Sequence, residues 1–179
     1  VTSGSGFTTP NTLTVNSNNN AAAIINGGSN GGGNIGSSSG YFNTIFAKAT
    51  TAQYADLAEM YCADDAYSPG TVVEFGGEQE VTSASKGEKV IGVVSTNPAY
   101  LMNKDLTGDH VVAVALKGRV PVKVTGKIKK GDRLVSAGNG LARAGTRTEI
   151  NTWNVIGRSL ENKDTLDAGT VEAVVKLNS

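Results

Sequence analysis

The sequence predicts an all-β protein in which a Gly/Asn/Ser-rich β stem precedes a compact sandwich or barrel-like domain. The later part of the chain carries short Val-rich runs such as "GTVVEF", "KVIGVVS" and "TVEAVVKL", bounded by Gly, Asn or Asp, and this spacing is typical of sandwiches and barrels. The earlier part alternates small apolar clusters with Gly, Asn and Ser turns. Before Tyr54 the only charged side chain is Lys48. We therefore expect a stem segment over residues 1–53 and a C-terminal β-rich domain over residues 54–179.

The first segment cannot build a core alone. Its larger apolar side chains are spaced among small residues and include Ile24, Ile25, Ile35, Phe42 and Phe46. One copy has too little apolar surface to compensate for the conformational entropy that it would lose on ordering. Composition alone also fits a flexible Gly-rich linker. We favour a fibrous stem in which three identical chains place these five side chains on a shared axis, which predicts a homotrimer.

Composition excludes several classes of function. Sixteen Lys and Arg balance sixteen Asp and Glu, giving a net charge of zero, so we expect no nucleic-acid partner and no anionic-membrane partner. Cys62 is the only cysteine and His110 the only histidine, which argues against a zinc site or a serine-histidine relay. We expect no metal and no cofactor. No apolar run is long enough to span a membrane, and the start at Val1 suggests a fragment or a processed product.

Two runs in the domain make sharper predictions about strand position. In "RVPVKV", Val120, Val122 and Val124 share one face. Pro121 has no amide hydrogen to donate, so we expect it at a sheet edge or beside a bulge. The run "HVVAVAL" is apolar on both faces, which predicts a central strand covered on both sides.

A weak internal repeat suggests two similar β-units. Each half contains a glycine turn, a Val-rich strand, a second turn, a polar strand and then "VIG". Gly92 and Gly157, which end the two "VIG" triplets, are expected at a bulge or at a close backbone approach. The predicted core contains Val90, Ile91, Val93, Val112, Val114, Leu116 and Val174.

The segment "QYADLAEMYCADD" admits two structures. On a helix, an apolar stripe forms on one face and Asp56 and Glu59 lie together on another; the stripe comprises Tyr54, Leu57, Ala58 and Tyr61. On a strand, the two carboxylates point to opposite faces. We favour one short helix at this junction and keep the strand open.

Longer stretches resemble a known group of proteins. The segments "NIGSSSGYFNTIFAKATTAQYADLAEMY", "YSPGTVVEFGG" and "VIGVVSTNPAYLMN" resemble the C-terminal regions of tail-fibre and related structural proteins of tailed bacteriophages, from about residue 34 onward. The resemblance implies a homotrimeric virion protein, synthesised in the host cytoplasm, at the distal part of a fibre. It implies other virion proteins as partners, and a terminal domain that serves assembly, caps the stem or contacts a host surface receptor.

The junction carries a second resemblance. "YADLAE" is similar to the start of autoproteolytic intramolecular chaperone domains of phage appendages, in which an acidic pair assists cleavage. The matching carboxylates are Asp56 and Glu59, and the bond is near Ala55–Asp56. One carboxylic acid can protonate a leaving amine while a carboxylate activates water or attacks.

We expect a non-enzymatic structural protein in which Asp56 and Glu59 orient the turn from stem to domain and the chain stays whole. The alternative is a chaperone that assists folding of the trimeric fibre, cuts itself and is released. A third class, a glycan hydrolase, would need a distinctive acid pair, which the sequence lacks.

Overall fold

The computed structural model describes residues 35, 39–40, 55–87, 89–151 and 154–176. The chain divides into two units, residues 1–49 and residues 50–179. In the first unit, Ile35 is described and is 83% exposed. The other predicted stem residues, Ile24, Ile25, Phe42 and Phe46, lie outside the described residues.

The second unit is all-β, as predicted. The strands are β1 (Asp56–Cys62), β2 (Val72–Phe75), β3 (Val81–Ser83), β4 (Val90–Val94), β5 (Tyr100–Met102), β6 (Val111–Val124), β7 (Arg133–Gly138), β8 (Leu141–Ala144), β9 (Val155–Ser159) and β10 (Gly169–Lys176). The described residues contain no helix and therefore no helix that could cross a membrane.

Five strands close into a small barrel. β6 pairs with β10, β10 with β9, β9 with β7, β7 with β8, and β8 returns to β6. The contact that closes the ring is the short parallel pairing of Val124 with Ala142. Closure removes free edges from these five strands, which protects them from pairing with other chains.

The remaining five strands are joined to the barrel through the long strand β6. Its first half pairs with β1 on one side and β4 on the other, and β4 continues to β2 and β3. β5 is added in parallel to β1. The run "HVVAVAL" is therefore central, as predicted. On one side of β6, Pro121 has Glu172 of β10 as its register partner, while on the other side the pairing with β1 ends at Gly118 and the pairing with β8 begins at Val124. Pro121 thus avoids a fully paired position, as expected from its missing amide hydrogen.

The pairing pattern confirms the two similar β-units that the internal repeat predicts. β2 pairs with both β3 and β4, and β7 pairs with both β8 and β9. In each of these two β-units the isoleucine of "VIG" has no register partner, so that Ile91 and Ile156 form bulges. A Cβ on Gly92 would lie 2.4 Å from the carbonyl oxygen of Ala115, and one on Gly157 would lie 2.2 Å from that of Val174. Both glycines therefore permit a neighbouring backbone to approach closely.

Apolar residues form two clusters rather than the single predicted core. The barrel cluster includes Val93, Val120, Val122, Leu134 and Val175. A second cluster, under β1 to β4, includes Val73, Ile91, Val112 and Val114, with Leu116 packed against it. Val90 packs against the barrel cluster. The prediction for Val174 was wrong, since it is 44% exposed. Because β10 buries Val171, Ala173 and Val175, strand alternation points Val174 outward.

The predicted helix at the junction was also wrong. Residues Asp56–Cys62 form β1, which pairs with β6 and with β5. Asp56 and Ala58 are buried, whereas Leu57 between them is exposed, as the two-residue period of a strand requires. The pairing of β1 with a strand on each side stabilises the strand more than helix propensity could stabilise a helix of only seven residues.

Candidate functional site at the junction

The junction is held against the middle of β6. The amide of Arg119 donates a hydrogen bond of 3.1 Å to the carbonyl oxygen of Ala55, and the amide of Ala99 donates one of 2.9 Å to the carbonyl oxygen of Asp56. Arg119 therefore holds the carbonyl of the Ala55–Asp56 peptide bond, and Ala99 holds the carbonyl of the next peptide bond, Asp56–Leu57. Ala55 and Asp56 line a cleft of about 490 Å³ together with Ser95, Arg119, Pro121 and Glu172.

Gly118 makes this close packing possible. A Cβ at Gly118 would lie 2.1 Å from the carbonyl oxygen of Ala55 and 2.6 Å from the Cα of Asp56, and no side chain fits such a gap. Its φ of +121° is in the region that favours glycine. The register between β1 and β6 shifts between Leu57 and Ala58, beside this position. Gly118 therefore allows β6 to approach the junction closely enough for the next amide, that of Arg119, to bind the Ala55 carbonyl.

Asp56 is buried and has a specific partner. Only 5% of its surface is exposed, and its Oδ2 accepts a hydrogen bond of 2.6 Å from the Oγ of Ser95, which is 8% exposed. Ser95 lies 39 residues further along the chain, directly after β4. A buried carboxyl needs such partners, because removal from water disfavours its charged form.

Glu59 faces the other side of β1. Its Oε2 accepts a hydrogen bond of 2.9 Å from the hydroxyl of Tyr61, two residues along the same face. Burial, the bond to Glu59 and the charges of Glu59 and Glu80 raise the pKa of Tyr61 to about 12. Tyr61 also packs edge-on against Phe75, with ring centroids 6.2 Å apart. Glu59 thus belongs to a separate hydrogen-bonded group.

The two predicted site residues are therefore not brought together within one chain. They are three positions apart on a strand, so their side chains leave opposite faces. Only Asp56 lies in the cleft beside the Ala55–Asp56 bond. Sequence analysis did not find Ser95, Gly118 or Arg119, because they are distant in sequence and belong to no local motif. The described residues contain no group of three or more His, Cys, Asp or Glu that could hold a metal ion.

The arrangement can favour attack on one peptide bond. A backbone amide that donates to a carbonyl oxygen polarises the carbonyl and can stabilise the oxyanion that forms when a nucleophile adds. The Asp56 carboxyl is carried by the residue whose nitrogen would leave. It can activate water or supply a proton to that nitrogen from within the same residue. The cleft therefore holds one oxyanion donor and one acid or base at a single bond.

Comparisons with known proteins support the resemblances noted in the sequence. The model of the family described as Peptidase_G2, IMC autoproteolytic cleavage domain, matches residues 11–108, which is 98 of the 179 residues. IMC stands for intramolecular chaperone. A search of curated proteins found no match.

Solved structures share the fold. The pre-mature gene product 12 of bacteriophage phi29 is 16% identical, with a TM-score of 0.57 over 74% of this chain and 23% of that chain. The C-terminal fragment of the same phi29 protein is 17% identical, with a TM-score of 0.51 over 68% of this chain and 100% of the fragment. This chain thus spans about a quarter of the pre-mature phi29 chain, and it covers the whole of the C-terminal fragment.

Proposed function

Because the chain belongs to the family of intramolecular chaperone autoproteolytic cleavage domains, we propose that it forms the C-terminal end of a trimeric phage fibre and cuts itself at the Ala55–Asp56 bond. Residues 1–53 form the end of the stem, and residues 54–179 form the chaperone domain that assists folding of the stem. The single observation that carries this assignment is the Arg119 amide bound to the Ala55 carbonyl oxygen, with the Asp56 carboxyl in the same cleft.

The chemistry is peptide hydrolysis. Water adds to the carbonyl carbon of Ala55, and the Arg119 amide stabilises the oxyanion. The Asp56 carboxyl takes a proton from the water and returns one to the Asp56 nitrogen as the carbon–nitrogen bond breaks. Ser95 holds that carboxyl in place through the 2.6 Å hydrogen bond. The products are a carboxylate at Ala55 and an amino group at Asp56.

Glu59 could take part in cleavage only by acting on the Ala55–Asp56 bond of a neighbouring copy. It faces away from the bond within its own chain and is bound to Tyr61. Three chains joined through a stem would bring three junctions near one another. A contribution of Glu59 to cleavage would then come from a neighbouring copy.

The test is denaturing mass spectrometry of freshly folded protein. The parent should give two fragments that meet at Ala55 and Asp56, and Asp56→Asn should stay whole. Asp65→Asn, which changes an exposed carboxylate outside the cleft, should be cut like the parent. An intact Glu59→Gln chain would show that both acids act, which their opposite faces allow only between copies. Light scattering should report a homotrimer for the full chain, and a stable monomer would contradict the stem.

A retained terminal domain is the second candidate, and one observation favours it. Asp56 and Glu59 each have their own hydrogen-bond donor, Ser95 and Tyr61, as carboxylates with a purely structural role do. The domain would then cap the stem, attach to other virion proteins or contact a host surface receptor. A parent chain that remains whole after trimer formation would decide for this function and against cleavage.

A further inference from the structure

Positive charge is concentrated on one outer face of the barrel. Arg133 of β7 is the register partner of Arg158 of β9, and Lys176 of β10 is that of Lys117 of β6. Val174 of β10 lies between these two pairs, because its register partners are Arg158 and Arg119. Register partners project from the same face of a sheet. We call the five exposed cations of this face the basic surface: Lys117, Arg119, Arg133, Arg158 and Lys176.

The charges of the basic surface are not balanced by the chain itself. Two pairs of its cations lie directly opposite one another on neighbouring strands, which is destabilising. The described residues contain two ion pairs, and neither involves a member of the basic surface. In the rest of residues 1–179 the charged side chains are Lys48 and Glu88, and one carboxylate cannot balance five cations. An acidic partner for the basic surface therefore has to come from another molecule.

The same chain carries a surface of the opposite charge. Residues 56–110 contain ten acidic and three basic side chains, whereas residues 111–158 contain two acidic and ten basic ones. We call three carboxylates of the acidic part the acidic surface, since together they line a cavity of about 500 Å³: Asp64, Glu78 and Asp109. Three members of the basic surface line a different cavity, of about 530 Å³. Opposite charges are thus separated on this domain although its chain has a net charge of zero.

We propose that the basic surface of one copy binds the acidic surface of the next copy, so that the domains of three copies close into a ring. This inference rests on the trimer of the proposed function. A contact between two different surfaces repeats head to tail and closes where the rotation between copies is threefold. Each copy then uses both of its charged surfaces once.

A second copy fits the basic surface better than a foreign polyanion does. A polyanion attracted to the basic surface would also be repelled by the acidic part of the same domain. A second copy meets both charged surfaces with their complements. In the proposed trimer the copies are already joined through the stem, which raises their effective concentration at each other's surfaces.

Charge reversal in the full chain tests the contact, with every variant made in the Asp56→Asn chain, which should stay whole. Arg133→Glu with Arg158→Glu reverses the basic surface. Glu78→Lys with Asp109→Lys reverses the acidic surface, and all four positions are exposed. Each double variant should raise the concentration for half-maximal trimer formation at least about tenfold in low salt, because like charges then meet. The fourfold variant restores opposite charges and should return to within about threefold of the parent.

Lys86→Glu with Lys89→Glu is the matched control, because it changes net charge as much as the basic-surface reversal does, at exposed positions outside both surfaces. It should assemble like the parent. Joined to Glu78→Lys and Asp109→Lys, it restores a net charge of zero without restoring the contact, and that chain should stay weak.

Analytical ultracentrifugation and melting curves on the same samples separate the possible failures. If a reversal lowers the melting temperature, Arg133→Gln with Arg158→Gln replaces it and should weaken the trimer in the same direction. Double variants that assemble like the parent, or a fourfold variant as weak as they are, would overturn the contact and leave the proposed function standing. So would a basic-surface reversal that abolishes binding of inorganic polyphosphate and leaves the trimer unchanged. A monomeric parent would overturn the trimer and the contact together.

Discussion

Gly118 offers the most direct test of how β6 holds the junction. In Gly118→Ala, the new Cβ would lie 2.1 Å from the carbonyl oxygen of Ala55 and 2.6 Å from the Cα of Asp56. Both are backbone atoms and cannot move by changing a rotamer. A non-glycine residue in a sparsely populated φ region costs about 1 to 3 kcal/mol, and overpacking costs about another 1 to 3 kcal/mol. We expect the free energy of unfolding to fall by about 2 to 6 kcal/mol.

Gly126→Ala is the matched control. Gly126 also has a positive φ, of +77°, but a Cβ there would have nothing within 4 Å. The free energy of unfolding of Gly126→Ala should therefore fall only by the cost of a left-handed backbone, about 1 to 2 kcal/mol. The difference between the two variants isolates the close approach of β6 to the junction.

Two measurements check this prediction. With all variants made in the Asp56→Asn chain, which should stay whole, urea unfolding followed by circular dichroism gives the difference in stability, and hydrogen exchange reports on the Arg119 amide. In Gly118→Ala that amide should exchange faster, because the Ala55 carbonyl is displaced from it, while in Gly126→Ala its exchange should stay as in the parent. Equal losses of stability in the two variants, with unchanged exchange at Arg119, would refute the packing argument.

Two further predictions concern the core and acid stability. Val114→Asp would bury an unpaired charge at a fully buried position of the second cluster, so unfolding should become easier by several kcal/mol, about 3 or more; a variant that melts like the parent would contradict this. The Arg143 guanidinium, bound at 2.6 Å, and the Thr146 amide lower the pKa of Glu149 from 4.5 to about 2. The stability from this group is complete above pH 4.5 and is lost as pH falls towards 2. Melting temperatures of Glu149→Gln and the parent should therefore converge over that range, and a constant difference would show that the ion pair has no such role.

Much of the fold could be predicted because it follows from local pattern. Alternation placed Val120, Val122 and Val124 inward, and all three are buried. The repeated "VIG" predicted two similar β-units, since the glycine after each isoleucine permits the same close backbone approach. Val174 shows the limit of this method. It is adjacent to Val175, and the sequence alone did not decide which of the two faces the core.

The site could be predicted only in part, because its parts are distant in sequence. Asp56 was named from the junction motif, but its hydrogen-bond partner, Ser95, lies 39 residues away. The oxyanion donor is a backbone amide, that of Arg119, which no residue type reveals. The choice between helix and strand at β1 decided whether Asp56 and Glu59 share a face. That choice depended on pairing with β5 and β6, not on the seven residues themselves.

The position of the Ala55–Asp56 bond suits a domain that is released whole. The ten strands and the two apolar clusters of the described residues all lie after it in the chain. Of the hydrogen bonds described here for Ala55 and Asp56, cutting there would keep those from Ala99 and Ser95 to Asp56 within the domain and would remove the one from Arg119 to Ala55. One such hydrogen bond contributes about 1 kcal/mol, a small part of the stability of a domain this size. The proposed cleavage would therefore cost the domain little of its own stability, because β1 would keep its partners β5 and β6 after the bond is broken.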